Sequence, residues 1–463
     1  MGKKQFVHPY IPNMEPNVKK EMFDAIGMKS VDEIYQGIPD HLRFKGKMEL
    51  PEPIISECTL QRHVEKILAK NMNARDNICF LGGGTWNHYV PSVVSTIMER
   101  DEFLTCYVGD AYTDHGKFQT LFESSSMIGD LTGFEACCTP TYDWANAIAI
   151  ACRMAQRTTG RDEILVAGNM APDRLLVVRN YCKPEMTVTK IGFDKNTGAM
   201  DLEDLKAKIS DKTASVYFEN PIYLGGLEAN VYEIVKIAHD AGATVMVGVD
   251  PSSLGVLEAP GAYGADYAVG DLQPLGLHMS YGGGIGGFIA TKDEKEFLGE
   301  FPSLLYGLCK TEKEGEYGFG EVFYERTSYA SREKGKDFIG TTTALYGMAA
   351  AVYMALMGPQ GFKEMGEGIL QRVAYTKAEL AKIPGVKIPS SGCSYCDFLV
   401  DFNDTGKTVK EINKALAGYK ILGGKDISGE FPEYGQCALY SVTEVHSEED
   451  LQALFDALKK IIG

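Results

Sequence analysis

The chain has 463 residues, 44% of them hydrophobic and 24% charged, with a formal net charge of −17. That length exceeds one compact core and predicts two domains behind an N-terminal arm, while the acidic balance argues against a nucleic-acid partner. Eleven cysteines, an odd and scattered set, fit reduced thiols in a cytoplasm and exclude a secreted disulfide framework.

Residues 1–60 read as the arm. Two short helices are expected on either side of Gly27, the second capped by Ser30, and Leu50 to Pro53 form a stiff linker. The first residues lack an apolar signal core, and Phe6 stands where myristoylation needs Ser or Thr.

A large α/β domain is expected over 61–342 and a smaller one, with its linking helix, over 343–463. Helices fit about 59–70, 117–131 and 143–158. Strand and helix patterns then alternate from EILVAG at Glu163 through ATVMVGVDP, ending at Pro251, followed by ADYAVGD and GGFIATKD. Helices of about ten residues between strands imply parallel βαβ units. Apolar strands without alternation imply a sheet covered on both faces. The apolar run Thr343 to Gly358 is too short for a membrane span and reads as a buried helix broken at Gly358-Pro359. Beyond it, CDFLVDF and QCALYSV read as short strands, and Ser447 with Asp450 marks a capped final helix. A doubly wound domain, a long helix and a small α+β domain suggest the aspartate-aminotransferase type of pyridoxal-phosphate fold, fold type I.

Several stretches offer chemistry beside a plainer structural role. GADYAVGDLQPLGLHMSYGGGIGG, from Gly264, has the layout of a cofactor-anchoring loop, an apolar strand, a polar turn and a glycine-rich return, but contains no lysine. Asp250 ends a strand, where it would pair with a pyridinium nitrogen or initiate a turn before Pro251. CCTPTYDWANA precedes a helix whose N-terminus would hold a phosphate or be capped by Thr141 or Asp143. Gly340-Thr341 opens the long helix and reads as a phosphate clamp or a plain cap. His88 lies in the aromatic segment GGGTWNHYVP, as an active-site donor or a core histidine. Cys393 and Cys396 have C-x-x-C spacing without a second pair or histidine at zinc spacing, so no metal centre is expected. Lys292, Lys310 and Lys336 are the alternatives for an anchoring amine, although none follows a strand end as such a lysine should.

Taken together, these stretches resemble the glycine-cleavage P-protein family, specifically the first subunit of its two-subunit form, over nearly the whole length. YIPNM, FLGGGTWNHYVP, DLTGFE with YDWANA, PGAYGADYAVGDLQPLG, GGGIGGFIA and REKGKDFIGTTTALYG carry the resemblance. It implies a subunit of a glycine dehydrogenase (decarboxylating), an oxidoreductase. Such an enzyme removes the carboxylate of glycine, or of a related amino acid, on pyridoxal phosphate and passes an aminomethyl group to the lipoyl arm of the H-protein. It further implies that the Schiff-base lysine belongs to a second subunit in an α2β2 tetramer, with Pro274 at the lysine position here, so that this chain alone is inactive. Thr341 and Gly340 are implied as cofactor contacts, with His88, Arg326 and Arg332 matching further family positions. YVGDAYTDHG, KGKDFIGTTTAL and PIYLG depart from the family's usual stretches. A binding or scaffold protein keeping this fold is the alternative outside enzymes.

Overall fold

The computed structural model describes residues 7–104, 115–138, 140–282, 286–337, 339, 343–390 and 392–463. The chain divides into two compact units, Met1–Asn71 and Met72–Gly463. In the first, α1 (Pro16–Ile26) ends at Gly27, whose φ of 71° is the left-handed conformation glycine adopts without strain. The second element beyond Gly27 is only a five-residue 3-10 turn, Val31–Tyr35, and Ser30 caps it with no side-chain hydrogen bond. The Ser30 backbone carbonyl takes the Glu33 amide instead, so the hydroxyl is not needed. Helix α2 (Glu57–Leu68) is capped by the Ser56 hydroxyl.

The second unit opens with β1 (Ile78–Cys79), α3 (Ser92–Met98), α4 (Asp101–Leu104), α5 (His115–Thr132) and β2 (Ala136–Cys137). Strands and helices then alternate through α6 (Trp144–Thr159), β3 (Glu163–Ala167), α7 (Pro172–Cys182), β4 (Thr187–Ile191), α8 (Leu202–Lys208), β5 (Thr213–Glu219), α9 (Val231–Asp240) and β6 (Thr244–Val249). Two more strands, β7 (Tyr267–Asp271) and β8 (Gly287–Thr291), complete this run. Next come α10 (Lys295–Leu298), β9 (Tyr306–Lys310), β10 (Tyr317–Glu321), α11 (Ser328–Ser331) and the long α12 (Ala344–Leu380). The chain closes with β11 (Asp397–Asp401), α13 (Val409–Ala417), β12 (Ile421–Leu422), β13 (Lys425–Asp426), β14 (Cys437–Ser441) and α14 (Glu448–Ile462).

The central sheet has the order β2-β8-β7-β6-β5-β3-β4. Its strands are parallel except β8, which returns antiparallel between β7 and β2. All of β5 and β7 is buried, as expected of strands covered on both faces. A second, antiparallel sheet runs β11-β14-β13. Helix α12 is interrupted where expected: Gly358 has φ 58° and ψ 176°, and Pro359 follows without an amide to donate. Its first half packs Ala344, Met348 and Tyr353 into the core. The Ser447–Asp450 capping box closes the start of α14. No helix among the described residues is long and apolar enough to cross a membrane. In an open α/β sheet, chemistry gathers where parallel strands end. Here those ends deliver Glu219 from β5, Asp250 after β6 and Asp271 from β7.

Candidate functional site

The strand ends surround a hollow lined by Gly83, Trp86, Trp144, Arg174, Asp250 and Cys396, among others. Its lining includes a buried ion pair. Arg174, from the first turn of α7, donates through Nε and Nη2 to the two Glu219 oxygens, each at 3.0 Å. Tyr217 donates to the same carboxylate at 2.9 Å. The guanidinium lies 4.0 Å from the Trp144 ring centroid and 5.6 Å from that of Tyr223. Burial disfavours the Arg174 charge, but the Glu219 carboxylate outweighs it and holds the pKa above its ordinary value.

One wall is the loop Gly82–Gly84. A side chain at Gly82 would come within 2.3 Å of Asp397 Oδ1 and 2.5 Å of Ser441 Cβ, so only glycine fits. The Asp397 carboxylate accepts from the Gly83 amide at 3.2 Å and the Trp86 indole at 3.0 Å. Burial pushes its pKa up to about 7 against those bonds.

Asp250 and His88 come together here. Asp250 Oδ1 accepts from the Ser252 amide at 2.9 Å and hydroxyl at 2.7 Å, leaving Oδ2 beside Cys396 Sγ at 3.9 Å. His88 Nδ1 meets Glu444 Oε2 at 2.8 Å. Burial works against a charged His88 ring, but Glu444, Asp250 and Asp397 outweigh it and raise its pKa above the ordinary value. The C-x-x-C spacing is divided by burial: Cys393 is exposed and Cys396 buried.

The loop without a lysine is closed by hydrogen bonds. Pro274 is buried, and Gln273 accepts from the Trp86 amide while donating to the Trp86 and Leu277 carbonyls, all at 2.9 Å. At the start of α6 the cap is occupied: Asp143 Oδ1 takes the Asn146 amide at 2.7 Å, and the Trp144 amide points to Asp271 Oδ2 at 3.4 Å. Burial pushes Asp271 up to about 7.

The other sequence candidates lie apart from the hollow's lining. Arg326 donates to the Phe301 and Ser303 carbonyls, both at 2.6 Å, and Arg332 is exposed on a short turn. Lys292 pairs with Asp266 at 2.7 Å. The pairing of Thr291 with Tyr267 puts Lys292 at the end of the sheet opposite Asp250. Lys310 is an exposed residue of β9, and Lys336 pairs with Glu300. Gly340 and Thr341 fall outside the described residues, as does most of YVGDAYTDHG.

Among the described residues, Gln273 and Pro274 offer no amine, Asp143 and Asp271 bring two carboxylates to the start of α6, and Arg174 covers the Trp144 ring. Sequence reading missed Arg174, Glu219 and Asp271. An acidic residue at the end of an otherwise apolar strand was the available signal for the last two.

The model of the family described as glycine cleavage system P-protein matches residues 8–458. The chain is 35% identical to a probable glycine dehydrogenase (decarboxylating) subunit 1 of Staphylothermus marinus, covering 98% of each chain. It is 37% identical to the protein of that name in Pyrococcus horikoshii, covering 98% of this chain and 99% of that one. A crystal structure of an inhibitor-bound glycine decarboxylase (P-protein) superposes with a TM-score of 0.86 at 32% identity, over 99% of this chain and 100% of that chain. A Burkholderia pseudomallei sphingosine-1-phosphate lyase, 13% identical with a TM-score of 0.65 over 92% of this chain and 94% of that one, shares the fold. The architecture is therefore that of fold type I pyridoxal-phosphate enzymes, and the chain belongs to the glycine cleavage system P-protein family.

Proposed function

We propose that this chain is the lysine-free subunit of a P-protein-type glycine dehydrogenase (decarboxylating). In this reading a lysine-bearing second subunit holds pyridoxal phosphate covalently, and the two assemble as α2β2 in the cytoplasm. The reaction releases CO2 from glycine or a related amino acid and transfers the aminomethyl group to the lipoyl arm of an H-protein. This chain would complete the partner's site, with Thr341 and Gly340 reaching the cofactor phosphate across the interface.

The buried Gln273–Pro274 turn carries the reading, because proline offers no amine and Gln273 ties the turn to Trp86. The relatives' name, subunit 1, supports a second subunit. Exposed apolar side chains in the N-terminal unit, among them Phe44, Met48, Leu50 and Ile55, support a covering partner.

The test is glycine-dependent CO2 release with pyridoxal phosphate and lipoylated carrier present. Neither this chain nor the lysine-bearing subunit alone is expected to be active, and the mixture is. Turnover by this chain alone would overturn the proposal.

A further inference from the structure

We propose that His88, Asp250 and Cys396 form a buried site for one divalent transition-metal ion, zinc by preference. The site uses His88 and Asp250, two residues the sequence offers for cofactor chemistry, and does not depend on the proposed decarboxylase role. The three side chains are buried and come from different segments: the loop after β1, the end of β6 and the residue before β11. One potential ligand atom from each lies within 4.8 Å of the others.

Three details make this more than proximity. His88 Nε2 is buried, and among the described residues it has no hydrogen-bond partner. Its other ring nitrogen is held by Glu444 at 2.8 Å, the carboxylate–histidine arrangement that orients metal-ligating imidazoles. Asp250 is likewise oriented through one oxygen: Ser252 fixes Oδ1, and Oδ2 faces Cys396 Sγ at 3.9 Å. Tetrahedral zinc with bonds of about 2.0–2.3 Å needs neighbouring donors roughly 3.5 Å apart, so this pair would close by about 0.4 Å.

The donor set also selects the ion. Thiolate, imidazole and one carboxylate suit zinc better than magnesium or calcium, which prefer all-oxygen shells. Ligation displaces the Cys396 thiol proton to solvent and leaves His88 bound through neutral Nε2. A fourth position would face the hollow that Asp250 and Cys396 line. The ion would tie the main sheet to the C-terminal sheet.

Cobalt(II) on the chelator-stripped full-length chain is the probe. The expected result is one cobalt per chain, with thiolate-to-cobalt charge-transfer absorption that zinc abolishes. Cys396→Ala and His88→Ala should abolish the band, Cys393→Ala should retain it, and Glu444→Gln should weaken binding about 10–100-fold. No charge-transfer band from the wild type at saturating cobalt would overturn the site. So would a band that survives Cys396→Ala or disappears in Cys393→Ala. The wild-type spectrum tests the site even where a variant does not fold.

Discussion

Replacing Arg174 with alanine is expected to destabilise the chain by about 3–5 kcal/mol in urea unfolding, the effect of stranding a buried charge. The guanidinium makes two 3.0 Å bonds to Glu219 and covers the Trp144 ring. Removing it leaves Glu219 with only the Tyr217 hydroxyl among its described hydrogen-bond donors. The loss therefore comes chiefly from the unpaired carboxylate, with a smaller part from the vacated aromatic face. The double variant Arg174→Met with Glu219→Gln removes both charges and keeps an acceptor for Tyr217. It is expected to lose at least about 1 kcal/mol less than Arg174→Ala, since neutral replacement of a buried pair is often well tolerated. Equal losses in the two variants would show that the pair is not the source.

The second large effect is a pH dependence at Asp271. Its carboxyl is buried and pushed up to about 7 from the ordinary 3.8, against bonds from the Gln273 and Trp144 amides. Nearby Asp143 raises it further and Arg174 pulls it back. The folded state thus binds a proton that the unfolded state has released over about pH 4–7, so this group's contribution to stability falls as pH rises through that window. Raising the carboxyl from 3.8 to about 7 corresponds to about 4 kcal/mol, of which about 3 kcal/mol is lost between pH 5 and pH 8. Asp271→Asn keeps the acceptor for Gln273 and removes the ionisation. Its stability should fall correspondingly less over that range. Parallel pH profiles for wild type and variant would show that Asp271 titrates normally.

The physical signals explain which features could be read from the sequence. Helix α7 begins with Pro172, a residue suited to the first helical turn, and its expected and observed bounds coincide. The Gly358-Pro359 break and the Ser447–Asp450 cap are likewise local chemistry. Convergence is not local. Asp250 and Cys396 are 146 residues apart, and the C-x-x-C spacing directs attention to Cys393, which turns outward. Arg174 and Glu219 look like ordinary charges until the sheet brings them together. From sequence the cap of α6 is open between phosphate and side chain. The structure shows Asp143 filling it.

The most direct test of the central reading, that this chain lacks the cofactor-bearing amine, is borohydride reduction of the reconstituted complex with pyridoxal phosphate, followed by peptide mapping of both chains. Reduction fixes the cofactor to the lysine that holds it. The expected label lies on a lysine of the second subunit, with none on this chain; a stoichiometric label on Lys292, Lys310, Lys336 or any other lysine here would contradict the account.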